Sequence, residues 1–207
     1  MFYADDEVFG RFGPYPTGKA NCPFCGDPVI AKCGTIVAWH WSHLAGKDCD
    51  PWSEGETQWH LGWKSLVYPD RCEVRMKGVH RDHRADILGN GDTVVELQHS
   101  PISVEEIQER EYFYDRMIWL FDAAPFRDKL SIRKKDGFVT FRWKHPRKSL
   151  WFVEKPLFMD LGEDRILFAQ KIHHKTPCGG WGYVMDHEEF IERFLSDHLK
   201  FELAVTR

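Results

Sequence analysis

An α+β fold is what this sequence predicts, and three observations predict it. Cysteines 22, 25, 33 and 49, four of the six in the chain, crowd into an opening stretch rich in glycine and proline. A helix, three strands, a helix and a strand can then be read in order up to Pro125. Beyond Pro125 the chain is β-rich ("GFVTFRW", "LWFVEK", "PLFMD", "RILFAQKI") and closes on a helix, "DHEEFIERFLSDHLKFEL". The division expected is a zinc-finger-like module over 1–52, a core over 53–125 and a β-rich extension over 126–207. A chain of 207 residues suits one domain with a small added module.

The opening module has short β-like pieces, "PVIAK" and "TIVAWHW". Cys22-Pro-Phe-Cys25-Gly is a zinc-knuckle turn: two thiolates at that spacing chelate one ion, and the glycine permits the tight turn. His40 and His43, in "HWSH", supply a second pair and a Cys₂His₂ site for structural Zn²⁺. Cys33 and Cys49 are rivals, and Cys49 could replace one histidine. Cysteines in a chain of this kind argue for metal or free thiols over disulfides. Zinc would staple a module too short to build its own core.

"SEGETQWHLGWKSLVY" reads as the first helix, with Ser53 as N-cap and Glu56 closing a capping box. On that register Glu56, His60 and Lys64 share one face. Three strand-like pieces follow, at 72–77, 83–88 and 93–99, with "GNGD" as the turn joining the last two. Asp86 stands inside one apolar run and Glu96 inside the next, although burying a carboxylate is costly. On adjacent antiparallel strands the two can face the same side and make an oxygen site for Mg²⁺ or Mn²⁺. Gln98, two residues on, falls on the face of Glu96. Ser103 caps a second helix, with Glu106 as its capping-box acid, and "MIWLFD" reads as a buried strand.

The order helix, hairpin with D…ExQ, helix, strand resembles the PD-(D/E)XK nuclease superfamily. More narrowly, "RADIL…VVELQHSPISVEEIQEREYFYD" resembles the competence protein CoiA-like family. So do "CPFCGDPVIAKCGTIVAWHWSH" before it and the "GETQWHLGWKSLV" helix, so the likeness spans about residues 21–122. The resemblance implies a restriction-endonuclease-like α-β-β-β-α-β core and a metal-dependent nuclease hydrolysing DNA phosphodiesters, in competence, recombination or antiphage defence. It implies metal ligation by Asp86 and Glu96, with Glu56 completing the site. Gln98 stands where most of the superfamily carries lysine, and Lys64 would supply the missing charge. Arg110 and Tyr114, one turn apart, would contact phosphate. The lysine-to-glutamine difference also admits a second class of reading, a non-catalytic nucleic-acid-binding or assembly subunit on the same fold.

Net charge is −4, so no global basic field points to nucleic acid, but its distribution is uneven. From Arg127 to Lys148 nine basic residues face only Asp128 and Asp136. Lys134, Lys135, Arg142 and Lys144 of this stripe are expected to hold a polyanion backbone, against the plainer reading of a solvated hairpin surface. Near its end "HHKTPCGGWG" reads as a glycine-rich loop. No apolar run reaches membrane length and the N-terminus lacks a signal-peptide pattern, so a cytoplasmic protein is expected, with DNA and other proteins of a DNA-processing or defence complex as partners.

Overall fold

The computed structural model describes residues 1–8, 10–44, 49–52, 55–174 and 178–200. They build two compact units: Met1–Gly89 joined by the C-terminal residues from Asp197, and Asn90–Ser196. The architecture is mixed α+β, dominated by sheet.

The first unit opens on a five-stranded antiparallel sheet. Its strands are β1 (Ala4–Asp6), β2 (Gly10–Phe12), β3 (Lys19–Asn21), β4 (Pro28–Lys32) and β5 (His40–His43), ordered β2-β1-β3-β4-β5. Cross-strand partners share a face, so Ala20↔Val29 and Ala31↔Trp41 line one side. With Met1, Ala4, Cys22 and Phe24 they form a small core around Trp41. Gly18 has a defined reason to be glycine: a Cβ there would stand 2.9 Å from the Trp41 ring and from the Tyr15 carbonyl.

Helix α1 (Gln58–Leu66) starts later than the sequence suggests. Ser53 lies outside the described residues, and the N-cap is Thr57, whose hydroxyl accepts from the His60 N–H. His60 returns the bond: its Nδ1 accepts from the Thr57 N–H at 3.2 Å, so an imidazole does the work of the capping-box acid. Glu56 therefore precedes the helix instead of sharing its face. Strands β6 (Cys72–Met76) and β7 (His83–Leu88) pair antiparallel, with Cys72↔Ile87 and Val74↔Ala85 in register. The C-terminal residues return to the end of α1, where the Tyr68 N–H donates to His198 and the Lys200 N–H to Leu66.

In the second unit β8 (Val94–Gln98), β9 (Met117–Asp122), β10 (Leu130–Lys134), β11 (Val139–Trp143), β12 (Leu157–Asp160), β13 (Ile166–His173) and β14 (Gly179–Met185) follow the order β10-β11-β14-β13-β12-β9-β8. Pairings are antiparallel except β12 with β9 and β9 with β8, which are parallel. Every residue of β8 and β9 is buried, which is why "VVELQ" and "MIWLFD" read as near-continuous apolar runs. Helix α2 (Val104–Tyr114) is capped by the Ser103 hydroxyl, and α3 (His187–Phe194) by the Asp186 carboxylate.

Several local expectations need correction. "LWFVEK" is no strand: Lys148–Phe152 forms a 3₁₀ turn. The glycines of "CGGWG" lie on β14, not in a loop, because a Cβ at Gly179 or Gly180 would run into the backbone of Phe141 or Lys171 on the neighbouring strands. Residues 175–177 of that segment lie outside the described residues. The closing helix stops at Phe194, a 3₁₀ turn follows at Ser196–His198, and 201–207 lie outside the described residues. Among the described residues no helix is long and apolar enough to cross a membrane.

Candidate metal centre and buried acid cluster

Cys22, Cys25, His43 and Cys49 converge, with their ligand atoms all within 4.8 Å of one another. The turn carrying the first two is built from the backbone up. The Gly26 N–H donates to Cys22 O and the Cys22 N–H to Asp27 O, both at 2.8 Å, closing a loop that Gly26 completes at φ +81°. Within it the Phe24 N–H points at the Cys22 sulfur (3.4 Å) and the Asp27 N–H at the Cys25 sulfur (3.5 Å). Such N–H···S bonds suit a thiolate. His43 comes from the end of β5, its Nε2 3.3 Å from Cys25 Sγ, and Cys49 closes the set 3.7 Å from Cys22 Sγ. Zn–S bonds of about 2.3 Å at tetrahedral angles separate two sulfurs by about 3.75 Å. The donors and their spacing therefore fit zinc. Burial and the neighbouring thiols push the Cys25 and Cys49 thiols up, so a metal that takes thiolates displaces protons from them.

His40 is not in this set. His40 and His43 are three residues apart on a strand, so alternation sends them to opposite faces. The His40 Nδ1 lies 2.8 Å from the Ala38 carbonyl, and Cys49 takes the position assigned to it. Cys33 stays half-buried outside the cluster.

The neighbour of Cys49 fastens the site to the rest of the unit. Asp50, buried at 1% exposure, accepts from the Arg84 N–H (2.6 Å) and pairs with His83 Nδ1 (3.0 Å), both on β7. Trp52 stacks flat on His83, ring centres 3.3 Å apart. Asp86 lies two residues further along the same strand.

Three sequence-assigned residues, Glu56, Lys64 and Asp86, are brought together here, with a fourth that sequence reasoning missed, Glu73. The Lys64 ammonium sits 3.0 Å from Glu56 Oε1, 3.3 Å from Glu73 Oε1 and 3.0 Å from Asp86 Oδ1. The register on either side places Glu73 opposite Asp86. Glu73 adopts φ +53° on its strand, and its carboxylate also accepts from the Phe2 and Tyr3 N–H groups at 2.8 and 2.9 Å. Glu56 further meets the chain's amino terminus at 3.3 Å. Burial alone would neutralise these groups. The acids instead outweigh it and hold Lys64 well above its ordinary range, while Lys64 holds Glu56 and Glu73 below theirs. Arg84 is held up likewise, chiefly by Glu73. Asp86 differs from the other two acids: its side chain is 22% exposed, theirs 4% or less.

Glu96, Gln98, Arg110 and Tyr114 belong to the second unit, and all four are buried. Arg110 Nη1 meets Glu96 Oε2 at 2.7 Å, and its other arm reaches Glu106, so Glu106 serves Arg110 instead of closing a capping box. The Gln98 amide donates to Ser100 O at 3.0 Å. Arg110 and Tyr114 thus face inward with Ile107 and Glu111 on the buried side of α2, not outward toward phosphate. Glu111 was also missed. It accepts from the Trp119 indole and from the Glu154 and Lys155 N–H groups, tying α2 to β9 and to the turn before β12.

Comparison with known proteins bears on the metal centre. The model of the competence protein CoiA N-terminal domain matches residues 18–51. That span holds β3, β4, β5 and all four converging ligands. No curated protein and no solved structure matches the chain.

Proposed function

We propose that the chain is a metal-dependent nuclease that hydrolyses DNA phosphodiester bonds, in the competence-related setting suggested by its CoiA-like N-terminal segment. The observation that carries the reading is the Lys64–Asp86 pair. An acid left partly open to solvent stands 3.0 Å from an ammonium that two further acids, Glu56 and Glu73, hold in place. Phosphoryl chemistry needs a carboxylate for the cation and a fixed positive charge for the developing anion. Asp86 and Lys64 provide both without the strand lysine that Gln98 replaces. Hard carboxylate oxygens suit Mg²⁺ or Mn²⁺. When bound, such an ion would activate water and neutralise phosphate charge. Asp86 and Glu96 are the acids assigned to it, Lys64 orients Asp86, and Gln98 positions the nucleophile.

A second reading has its own observation. Glu96 is already paired with Arg110 at 2.7 Å, as a structural acid would be, which favours a non-catalytic nucleic-acid-binding or assembly subunit. Incubation of supercoiled and linear DNA with Mg²⁺, Mn²⁺ or EDTA separates the two. The nuclease reading expects cleavage with metal and none in EDTA. It also expects a loss of more than about 100-fold in Asp86→Ala and in Glu96→Ala, the upper range for disturbing a metal's surroundings. Alanine variants that stay fully active would overturn the site, and a wild type that binds DNA and never cuts it would overturn the nuclease reading in favour of the second.

A further inference from the structure

The basic stripe does not lie on one surface, and how it divides identifies a binding face. On β10, Ser131 and Arg133 alternate with Ile132 and Lys134, and Lys135 continues the first set. The register carries that set across the sheet: Ser131↔Arg142↔Gly179↔His173 in one row, Arg133↔Thr140↔Trp181↔Lys171 in the next. Lys129 and Lys144 meet through a backbone hydrogen bond one row beyond. Lys134 points to the other side. Strands β10, β11, β13 and β14 contain no acidic residue.

Two further features belong to this face. Gly179 contributes no side chain between Arg142 and His173, and a cavity of about 330 Å³ opens there, rimmed by Arg133, Lys135, Arg142 and His173. Beside it Trp181 makes edge contacts with Phe138 (6.2 Å between ring centres) and Tyr183 (5.9 Å). Phe138 and Tyr183 are 40% and 42% exposed. Sheet cores do not leave aromatic rings open beside guanidinium groups, and a protein of net charge −4 does not gather cations on one face by composition alone.

We propose that this face is a platform for single-stranded nucleic acid. Arg133, Lys135, Arg142 and Lys171 hold successive phosphates, and unpaired bases stack on Trp181 and Tyr183. Flat rings beside a cationic track suit bases already free of a duplex, whose stacked faces are otherwise covered. The inference rests on residues of the second unit and not on the nuclease reading.

The test is fluorescence anisotropy in EDTA, so that cleavage plays no part, with a labelled single strand of about 16 nucleotides and the same sequence as duplex. The single strand is expected to bind more tightly at equal salt. Trp181→Ala should weaken it about 5- to 150-fold, the range for one stacked base. Tyr183→Ala, at a position 42% exposed, should weaken it in the same direction. Arg133→Glu should flatten the salt dependence by about 0.7 in log–log slope, one phosphate's share on a single strand. Lys134→Glu, the next residue but on the opposite side, should stay within about 3-fold of wild type, since an exposed charge is largely screened. Tighter binding of duplex, equal damage from Arg133→Glu and Lys134→Glu, or wild-type affinity in Tyr183→Ala would each overturn the proposal.

Discussion

The first unit holds two clusters of chelating side chains, and they solve the same problem in opposite ways. Cys22, Cys25, His43 and Cys49 present soft donors that turn toward one another, at spacings that suit an ion from outside. Glu56, Glu73 and Asp86 also converge, but on Lys64, a cation the chain supplies itself. Thiols can wait in neutral form for a metal. Buried carboxylates cannot remain charged without an immediate counter-charge. The two clusters should therefore answer differently to metal removal, to pH and to loss of one member.

The largest difference is expected from metal. Structural zinc in small modules supplies about 10–16 kcal/mol of apparent binding free energy, which is folding free energy. Chelation should release about one zinc per chain and unfold the five-stranded sheet, followed by near-ultraviolet circular dichroism around Trp41. Cys49→Ser should lose the ion, and His40→Ala should keep it. Zinc retained in Cys49→Ser and lost in His40→Ala would restore the Cys₂His₂ set. Because Asp50, the residue after Cys49, is clamped onto β7, zinc loss should also raise hydrogen exchange along His83–Leu88.

A smaller effect follows from removing the internal cation. Lys64→Met leaves three acids around an apolar tip and should cost about 3–5 kcal/mol, with zinc content unchanged. The pH profile gives the sign. Glu56 and Glu73 are held down, so their contribution is present above the ordinary carboxylate range, about 4.3, and is lost as pH falls through their folded values. Lys64 is held up, so its contribution is full below about 10.4 and is lost as pH rises through its folded value. Wild-type stability should thus be level from about pH 5 to pH 10 as far as this cluster decides it. In Lys64→Met burial raises the acids, so the variant should gain stability as pH falls below 7. Urea unfolding at pH 5, 7 and 9 reads this directly, and a variant with the wild-type profile would show that the ammonium is not the counter-charge.

How much of this was legible in the sequence depended on whether the signal was local. The Cys22–Cys25 turn was, because its ligands, glycine and N–H···S bonds lie within six residues. Choosing His40 was an error of period: "HWSH" was read as a chelating pair, but it forms strand β5, where residues three apart cannot share a face. Cys49 could be held only as a rival, since its place depends on how the chain returns after β5. Glu73 was missed although a signal existed. Pairing "CEVRM" against "HRADIL" sets it opposite Asp86, but its φ of +53° breaks the alternation that would have flagged it. Arg110 and Tyr114 were assigned to phosphate from the resemblance and their spacing of one turn, yet they lie on the buried face of α2, where three of the four residues are polar or charged. Glycine misled at "CGGWG", where close strand backbones, not a turn, exclude a side chain.

The smallest effect expected distinguishes the two clusters by what positions them. The metal ligands are set by a turn and a strand, whereas Glu56 is set by the start of α1 and Lys64 by its last turn. Thr57 caps the helix start, with its hydroxyl 2.8 Å from His60 Nδ1 and accepting from the His60 N–H at 3.3 Å. Thr57→Ala removes one acceptor from the helix start and should cost about 1 kcal/mol, or about 2–4 °C in melting temperature for a chain of this size. Its effect should reach Glu56, the residue before the cap, and leave Cys22 and Cys25 untouched. The expected outcome is a small loss of stability, normal zinc content, and less stability lost on adding Lys64→Met than in the wild-type background, because a frayed helix start already loosens the Glu56–Lys64 pair. A double-mutant cycle measures that coupling. Strictly additive losses would mean that the acid cluster holds its geometry from β6 and β7 alone, with the helix start as a bystander.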